Sequence, residues 1–443
     1  MREGSLDAPT RHPIAWRDAE FYDPQAIEAE MRRVFDICHG CRRCFNLCDS
    51  FPRLFDLIDD SKTGELDAVD SKEFARVADG CTLCDLCFMT KCPYVPPHAF
   101  NLDFPHLILR YRAMEARTGQ VPFADRELAK TDRNGAIATN LAGLANWASD
   151  TANTRVRALL AARAGLDPAA ELPRYAAKTL VATKAEVPPL NREAPAFGRK
   201  AVLYATCYGN YNDPEIGRAT RAVLAKNGVE TEIVYPGCCG MPLLEQGRID
   251  KVAESAAKVA DELGTWIARG YDVIALVPSC ALMLKFEWPL ILPESEPVRT
   301  LARATFDISE YVVDIARKEG LTPGLAPVAG GVAVHIACHA RAQNMGQKAA
   351  EMLRLLPDTE VQVIERCSGH GGAWGFKTGH FETAMKIGRP VARTAKEAGK
   401  RFITSECPLA GVHIRQGIEA LGTEAPPELI AHPIQLLARA YSM

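Results

Sequence analysis

The chain has 443 residues, 47% of them hydrophobic, enough for two or three domains with real cores. Its 52 Lys and Arg against 55 Asp and Glu leave a net charge of −3, without the basic excess that nucleic-acid binding demands. The stretch Met1 to Asp7 lacks the apolar core of a secretory signal, and the longest apolar run, residues 273–284, is interrupted by Pro278 and too short for a transmembrane span.

Residues 1–30 read as a polar arm that leads into a helix over 24–35. Cys38, Cys41 and Cys44 follow with two-residue gaps, then Cys48; Cys81, Cys84 and Cys87 repeat the pattern, then Cys92 and Pro93. Two-residue gaps let three thiolates wrap three corners of a 4Fe–4S cube, and in two-cluster ferredoxins the fourth ligand comes from the other run. That predicts crossed ligation by Cys38, Cys41, Cys44 and Cys92 around one cluster, and by Cys81, Cys84, Cys87 and Cys48 around the other. Asp49 stands where the first run would have proline, and the four-residue gap before Cys92 is one longer than usual, but neither removes a ligand. Disulfides suit small secreted chains and zinc takes ligands in pairs, so triplets of cysteine fit neither. The wide separation of Cys48 from Cys81 favours a helical two-cluster ferredoxin domain over residues 1–103.

From 104 to 198 no cysteine occurs. Leu107, Leu109, Met114, Leu141, Leu144, Val156, Leu159 and Leu160 recur at helical spacing, and a Pro-containing stretch over 187–198 closes the segment. A helical bridge is expected, with Arg110, Arg112, Arg117 and Arg126 on a solvated face.

Residues 199–320 and 331–443 are two copies of one unit, with a hinge containing Pro323 and Pro327 between them. Ala201 to Cys207 pairs with Val332 to Cys338, Glu232 to Cys238 with Val361 to Cys367, and Val273 to Cys280 with Arg401 to Cys407. Short β-branched runs alternate with amphipathic helices, such as 214–226 and 249–268, which predicts a βαβαβα parallel sheet in each copy. Every cysteine of this half stands just past a predicted strand, at the sheet edge where α/β folds bind ligands and where helix N-termini favour thiolate. The first copy offers Cys207, Cys238, Cys239 and Cys280 as metal ligands, and the second only Cys338, Cys367 and Cys407. Ser368 stands where the second cysteine of a pair would be. His339 and His370 are candidates for a fourth ligand, although a lone histidine is more often a hydrogen-bonded loop residue. An additional iron–sulfur cluster or a zinc ion would suit these sets.

The two ferredoxin runs, the Cys238-Cys239-Gly240 pair and the cysteine-rich repeats resemble the heterodisulfide reductase-related family of cysteine-rich iron–sulfur proteins. The same family includes the iron–sulfur subunit of anaerobic glycerol-3-phosphate dehydrogenase and its glycolate- and lactate-oxidising relatives. Leu102 to Leu107 and Cys367 to Lys377 look closest to the glycerol-3-phosphate type, and the chain is also similar to rubrerythrin-associated iron–sulfur proteins. The heterodisulfide reductase motif has one more cysteine three residues past Cys280 and past Cys407; this chain has Met283 and Ala410 there, which removes ligands from that family's non-cubane clusters.

The expected fold is therefore α plus α/β: a helical ferredoxin-type domain, a helical bridge and two tandem Rossmann-like repeats. The expected role is a cytoplasmic electron-transfer component of an oxidoreductase, with peripheral attachment to the inner face of a membrane left open. Electrons would pass from a redox partner, a flavoprotein dehydrogenase subunit or rubrerythrin, through two 4Fe–4S clusters to the repeat cysteines. No GxGxxG fingerprint is present, which places any flavin on the partner. Two alternatives stand beside this reading: a self-contained reductase of a disulfide or peroxide, and a redox or iron sensor.

Overall fold

A computed structural model describes residues 9–422 and 426–443. The opening residues 1–8, including the segment read above for a secretory signal, lie outside the described residues. Among the described residues no helix is long and apolar enough to cross a membrane.

The C-terminal half contains two four-stranded sheets, every strand parallel to its neighbours. The first comprises β1 (Lys200–Tyr204), β2 (Glu230–Val234), β3 (Asp272–Ala275) and β4 (Thr305–Asp307) in the order β2-β1-β3-β4. The second comprises β5 (Val332–His335), β6 (Val361–Ile364), β7 (Phe402–Ser405) and β8 (Glu428–Ile430) in the equivalent order β6-β5-β7-β8. The sequence reading expected three strands per copy. The fourth, β4 or β8, is only three residues long in each, too short for a periodic signal, and leads into the closing helices Ile308–Lys318 and Pro433–Ala440. Central strands β5 and β7 are buried along their whole length, as parallel strands covered by helices on both faces must be.

The N-terminal unit is helical. Pro24–Cys41 starts on Asp23, whose carboxylate accepts the Gln25 N–H at 2.9 Å, and buries Ile27, Met31, Val34 and Phe35 on one face. It runs past the expected end at residue 35 and carries Cys38 and Cys41 on its last turns, stopping where Arg42 turns left-handed at φ 54°. Ser50–Asp59 and Phe104–Arg117 pack with it through Leu54, Phe55, Phe104 and Ile108.

Three cores follow one another. The first is shared between the N-terminal helices and one face of the first sheet, where Phe35 and Ile108 belong to the same cluster as Val252, Leu263 and Trp288. The second lies between the copies, joining Leu203, Val223 and Ile274 to Val334, Leu353 and Leu437. The third covers the outer face of the second sheet with Val391, Ile403 and Ile414. Of the arginines expected on a solvated face, Arg117 and Arg126 are exposed, but three of the four also make contacts that tie elements together. Arg110 donates to the Phe21 and Glu20 carbonyls, Arg112 to those of Ala78, Cys81 and Glu245, and Arg117 lies over the Tyr22 ring.

One buried charge cluster fastens the first copy to the cysteine-bearing unit. The Arg11 guanidinium meets Asp85 at 2.7 Å, Asp103 at 2.8 Å and Glu287 at 2.9 Å, and lies over the Phe88 ring. Asp85 sits between Cys84 and Cys87 with φ 62°, so this contact holds a cysteine loop in a left-handed turn. Burial opposes charge on Asp103 and Glu287, but His106 and Arg11 outweigh it and hold both carboxyls below their ordinary values. Removing the cation leaves three carboxylates without it, a change that costs about 3–5 kcal/mol in buried clusters. Arg11→Met is therefore expected to lower the unfolding midpoint markedly at pH 7. The depressed carboxyl values add stability above the ordinary carboxylate range and lose it as pH falls, so the two proteins should converge below about pH 4. Denaturant melts at the two pH values check this.

Candidate functional site

The N-terminal cysteines form two sets in space. Burial raises the Cys38 thiol, and Cys92, Cys44 and Cys41 raise it further; Cys44 is pushed up to about 12 by burial, Cys92 and Cys41. Cys92 is brought there by a wide turn, Cys87–Lys91, closed by its own N–H on the Cys87 carbonyl at 2.8 Å. Burial likewise raises Cys48, with Cys84 and Cys81 raising it further, and Cys87, with Cys84, Cys81 and Cys48 adding to it. Cys44 also acts on Cys87, which makes that pair the link between the sets.

In the repeats, the topology sends each strand's exit to one edge. Cys207 and Cys338 open the short helices that follow β1 and β5. Cys280 lies in the helix Pro278–Leu282 after β3, and Cys407 stands at the N-cap position of the helix Pro408–Ala420 after β7, where the Leu409 and Ala410 N–H groups oppose the rise that burial imposes on its thiol. The loops after β2 and β6 are built alike: Cys238 Sγ accepts the Gly240 N–H and Cys367 Sγ the Gly369 N–H, each at 3.4 Å. Both glycines are left-handed, at φ 83° and 81°.

The four thiols of the first copy are neighbours. Cys238 and Cys207 Sγ stand 3.8 Å apart, and hydrogen bonding from Cys207 and Cys239 lowers the Cys238 thiol. Cys239 and Cys280 are hydrogen-bonded in turn. Two residues absent from the sequence-derived site belong here. Thr131 faces the Cys207 and Cys238 thiols, and Asp132 accepts the Cys238 N–H at 3.1 Å and the Tyr235 hydroxyl. Both lie at the start of the helix Thr131–Asn140 in the cysteine-free segment, where no local pattern marks them.

A cavity of about 830 Å³ joins the parts, lined by Cys81 and Cys84, by Cys207, Cys239 and Cys280, and by Cys338, Cys367 and Cys407. Helix Pro278–Leu282 packs on helix Cys338–Ala342, which brings the copies' cysteine loops face to face. The second copy stands against the second ferredoxin-type set. After burial, Cys84 is the strongest influence raising Cys338, and Cys367 the strongest raising Cys84, which is pushed up to about 12. Cys407 feels Cys280 of the first copy.

His339 and His370 also line the cavity. Both are held neutral, His370 down to about 3 by burial and by His413 and His339, and neither ring nitrogen of His370 nor Nε2 of His339 has a partner. Ser368 is buried beside Cys367, Met283 is packed in the core, and Ala410 lies at the cavity wall.

The donor chemistry fits iron–sulfur clusters. Buried thiols beside one another, without a cation, hold their protons; a cationic cluster reverses that and takes them as thiolates. Among the described residues no three His, Cys, Asp or Glu side chains converge tightly enough to chelate a single ion. The thiols as they stand fit a group that reaches several of them at once better than a lone zinc.

Residues 201–285 and 332–415 each match the family described as the cysteine-rich domain, CCG. One subunit of the anaerobic glycerol-3-phosphate dehydrogenase of Escherichia coli K12 is 28% identical over 316 residues, 71% of this chain and 76% of its own. One subunit of the fumarate reductase (CoM/CoB) of Methanothermobacter marburgensis is 27% identical over 251 residues, 55% of this chain and 47% of its own. One subunit of the dihydromethanophenazine:CoB–CoM heterodisulfide reductase of Methanosarcina barkeri is 24% identical over 254 residues, 55% and 59% of the two chains. These bear out the resemblance drawn from the cysteine motifs.

The two glycine loops invite a direct comparison. A Cβ on Gly369 would stand 2.0 Å from the Ala384 carbonyl oxygen, whereas on Gly240 it would meet only Val252 at ordinary contact distance. Gly240→Ala carries the left-handed penalty alone, about 1–2 kcal/mol. Gly369→Ala must also move backbone and is expected to cost about 3 kcal/mol or more. Unfolding midpoints of the two variants measure the difference.

Proposed function

Because the chain carries the cysteine-rich CCG domain twice, we propose that it is the electron-transfer component of an oxidoreductase. Cys38, Cys41, Cys44 and Cys92 hold one 4Fe–4S cluster, and Cys48, Cys81, Cys84 and Cys87 a second, over an N-terminal domain ending near residue 103. Cys207, Cys238, Cys239 and Cys280 hold a further metal–sulfur group, and Cys338, Cys367 and Cys407 another, with His339 or His370 free to complete the smaller set. Such clusters supply one-electron storage and release.

The observation that carries this reading is the meeting of Cys84 with Cys338 and Cys367 at one cavity. It gives the four sets a spatial order different from their order in the chain. The second ferredoxin-type set adjoins the second copy, and the second copy adjoins the first. The protein's part is to keep the sets close, dry and fixed: burial and N–H···S contacts, such as those of Gly240 and Gly369, tune each set. The cavity is the acceptor's place, since it exposes thiols of both copies to a small molecule.

The relatives carry the names of enzyme subunits, which supports a redox partner for this chain as well; a flavoprotein dehydrogenase subunit fits a chain that has no nucleotide fingerprint of its own, and rubrerythrin is the other candidate. Peripheral attachment would run through Phe123, Ile137, Leu141, Leu144 and Trp147, exposed apolar side chains on the helices between residues 123 and 149.

Anaerobic loading should give about eight irons assignable to the N-terminal sets. Cys48→Ser should disturb the same electron paramagnetic resonance signal as Cys84→Ser and leave the signal lost in Cys38→Ser. A match between Cys48→Ser and Cys38→Ser would refute the crossed assignment. Cys367→Ser should leave the N-terminal clusters reducible while stopping electrons from reaching the first copy, and Cys239→Ala should do so with loss of metal from the first copy itself. Full electron delivery by both variants would make the repeat cysteines structural.

A further inference from the structure

Glu245 lies in the wall of the central cavity and belongs to none of the cysteine sets. It follows the short helix Met241–Leu244, so its main chain is tied to the Cys238-Cys239-Gly240 loop. Its carboxylate crosses to the second copy. An added Cβ on Gly372, left-handed at φ 61°, would come 2.7 Å from Glu245 Oε1, so the glycine makes room for the acid.

Two cations face this carboxyl group, and both are committed elsewhere. Arg112, from the helix Phe104–Arg117, donates to the carbonyls of Ala78, Cys81 and Glu245 itself. Lys377, from the second copy, pairs with Asp125 of the helix Phe123–Leu128 at 2.8 Å, and the adjacent Gln246 donates to the Asp125 carbonyl. Asp79, Glu115 and Asp125 are the other carboxyls lining the cavity. Burial wins over Arg112 and Lys377 and raises the Glu245 carboxyl to about 7, so it can hold or release a proton near neutrality. Apolar and aromatic side chains, Leu160, Leu166, Leu172, Tyr175 and Phe376 among them, also line the cavity.

We infer that Glu245 donates the proton that accompanies electrons onto an acceptor bound in this cavity. The inference rests on the reading of the cavity as the acceptor's site. The acceptor class is a small, largely apolar organic oxidant that takes up two electrons with a proton: A + 2e⁻ + H⁺ → AH⁻. The Glu245 O–H bond breaks as the bond to the acceptor forms, and the electrons come from the reduced flavoprotein-type partner. The carboxylate left behind faces Arg112 and Lys377 and regains its proton from water at the cavity mouth.

The test uses the full, cluster-loaded chain, reduced and then oxidised by two probes. Duroquinone takes protons with its electrons and ferricenium takes none. Wild-type oxidation by duroquinone should slow as pH rises through about 7, as expected of a general acid that loses its proton there. Glu245→Gln should slow it by about 10²–10⁴-fold, the usual span for such a group, remove the pH dependence and leave ferricenium oxidation unchanged. Glu245→Asp should recover part of the rate. Independently of turnover, the infrared band of a protonated carboxyl should titrate near pH 7 in the wild type and be missing in Glu245→Gln. Wild-type duroquinone kinetics in Glu245→Gln would overturn the proton role alone. Undiminished duroquinone oxidation of Cys367→Ser would overturn the cavity reading, and this inference with it.

Discussion

A parallel strand must be followed by a crossover, so a sheet built only of parallel strands releases every one of its loops at the same edge. This constraint organises the C-terminal half of the protein. Six cysteine-bearing loops leave β1, β2 and β3 and their counterparts β5, β6 and β7, and the packing of helix Pro278–Leu282 on helix Cys338–Ala342 turns the two edges toward each other. The cavity is the space left between them. Residues as far apart in sequence as Cys207 and Cys407 share it because topology leaves them no other place.

The N-terminal unit has no such constraint, and ion pairing locates it instead. Arg11 ties a cysteine loop, through Asp85, to Glu287 of the first copy, while Arg112 ties the Cys81 carbonyl to that of Glu245. A charged group taken out of water is tolerated only where its partners stand in place, so these contacts specify one docking and penalise others. The unit's second cysteine set is thereby presented to the second copy, although the first copy supplies most of the apolar contact.

Much of this was legible in the sequence because it is local or repeated. Cysteine spacing is a short-range code, and duplicated strand–cysteine segments announce their own alignment. The short strands β4 and β8 left no alternation to detect. The run of Pro24–Cys41 past its apolar stripe was hidden because its last turns are polar and carry thiols. Arg110 and Arg112 read as part of a solvated face because helical spacing tells which residues share a side, not what lies opposite. Thr131, Asp132 and Glu245 enter the site through contacts with residues remote in sequence, and only the folded arrangement brings them in.

The glycine loops of the two copies keep the same N–H···S contact, yet Ser368 stands at the position that matches Cys239. In a symmetric dimer of identical subunits every substitution is made twice, and both halves of a shared chamber must change together. Fusing the halves into one polypeptide lifts that restriction. One half can keep four thiols while the other, the one facing the incoming set, exchanges a thiol for a hydroxyl and gathers neutral imidazoles around it. The covalent join between residues 320 and 331 is what allows a direction to be written into an architecture of two equivalent sheets.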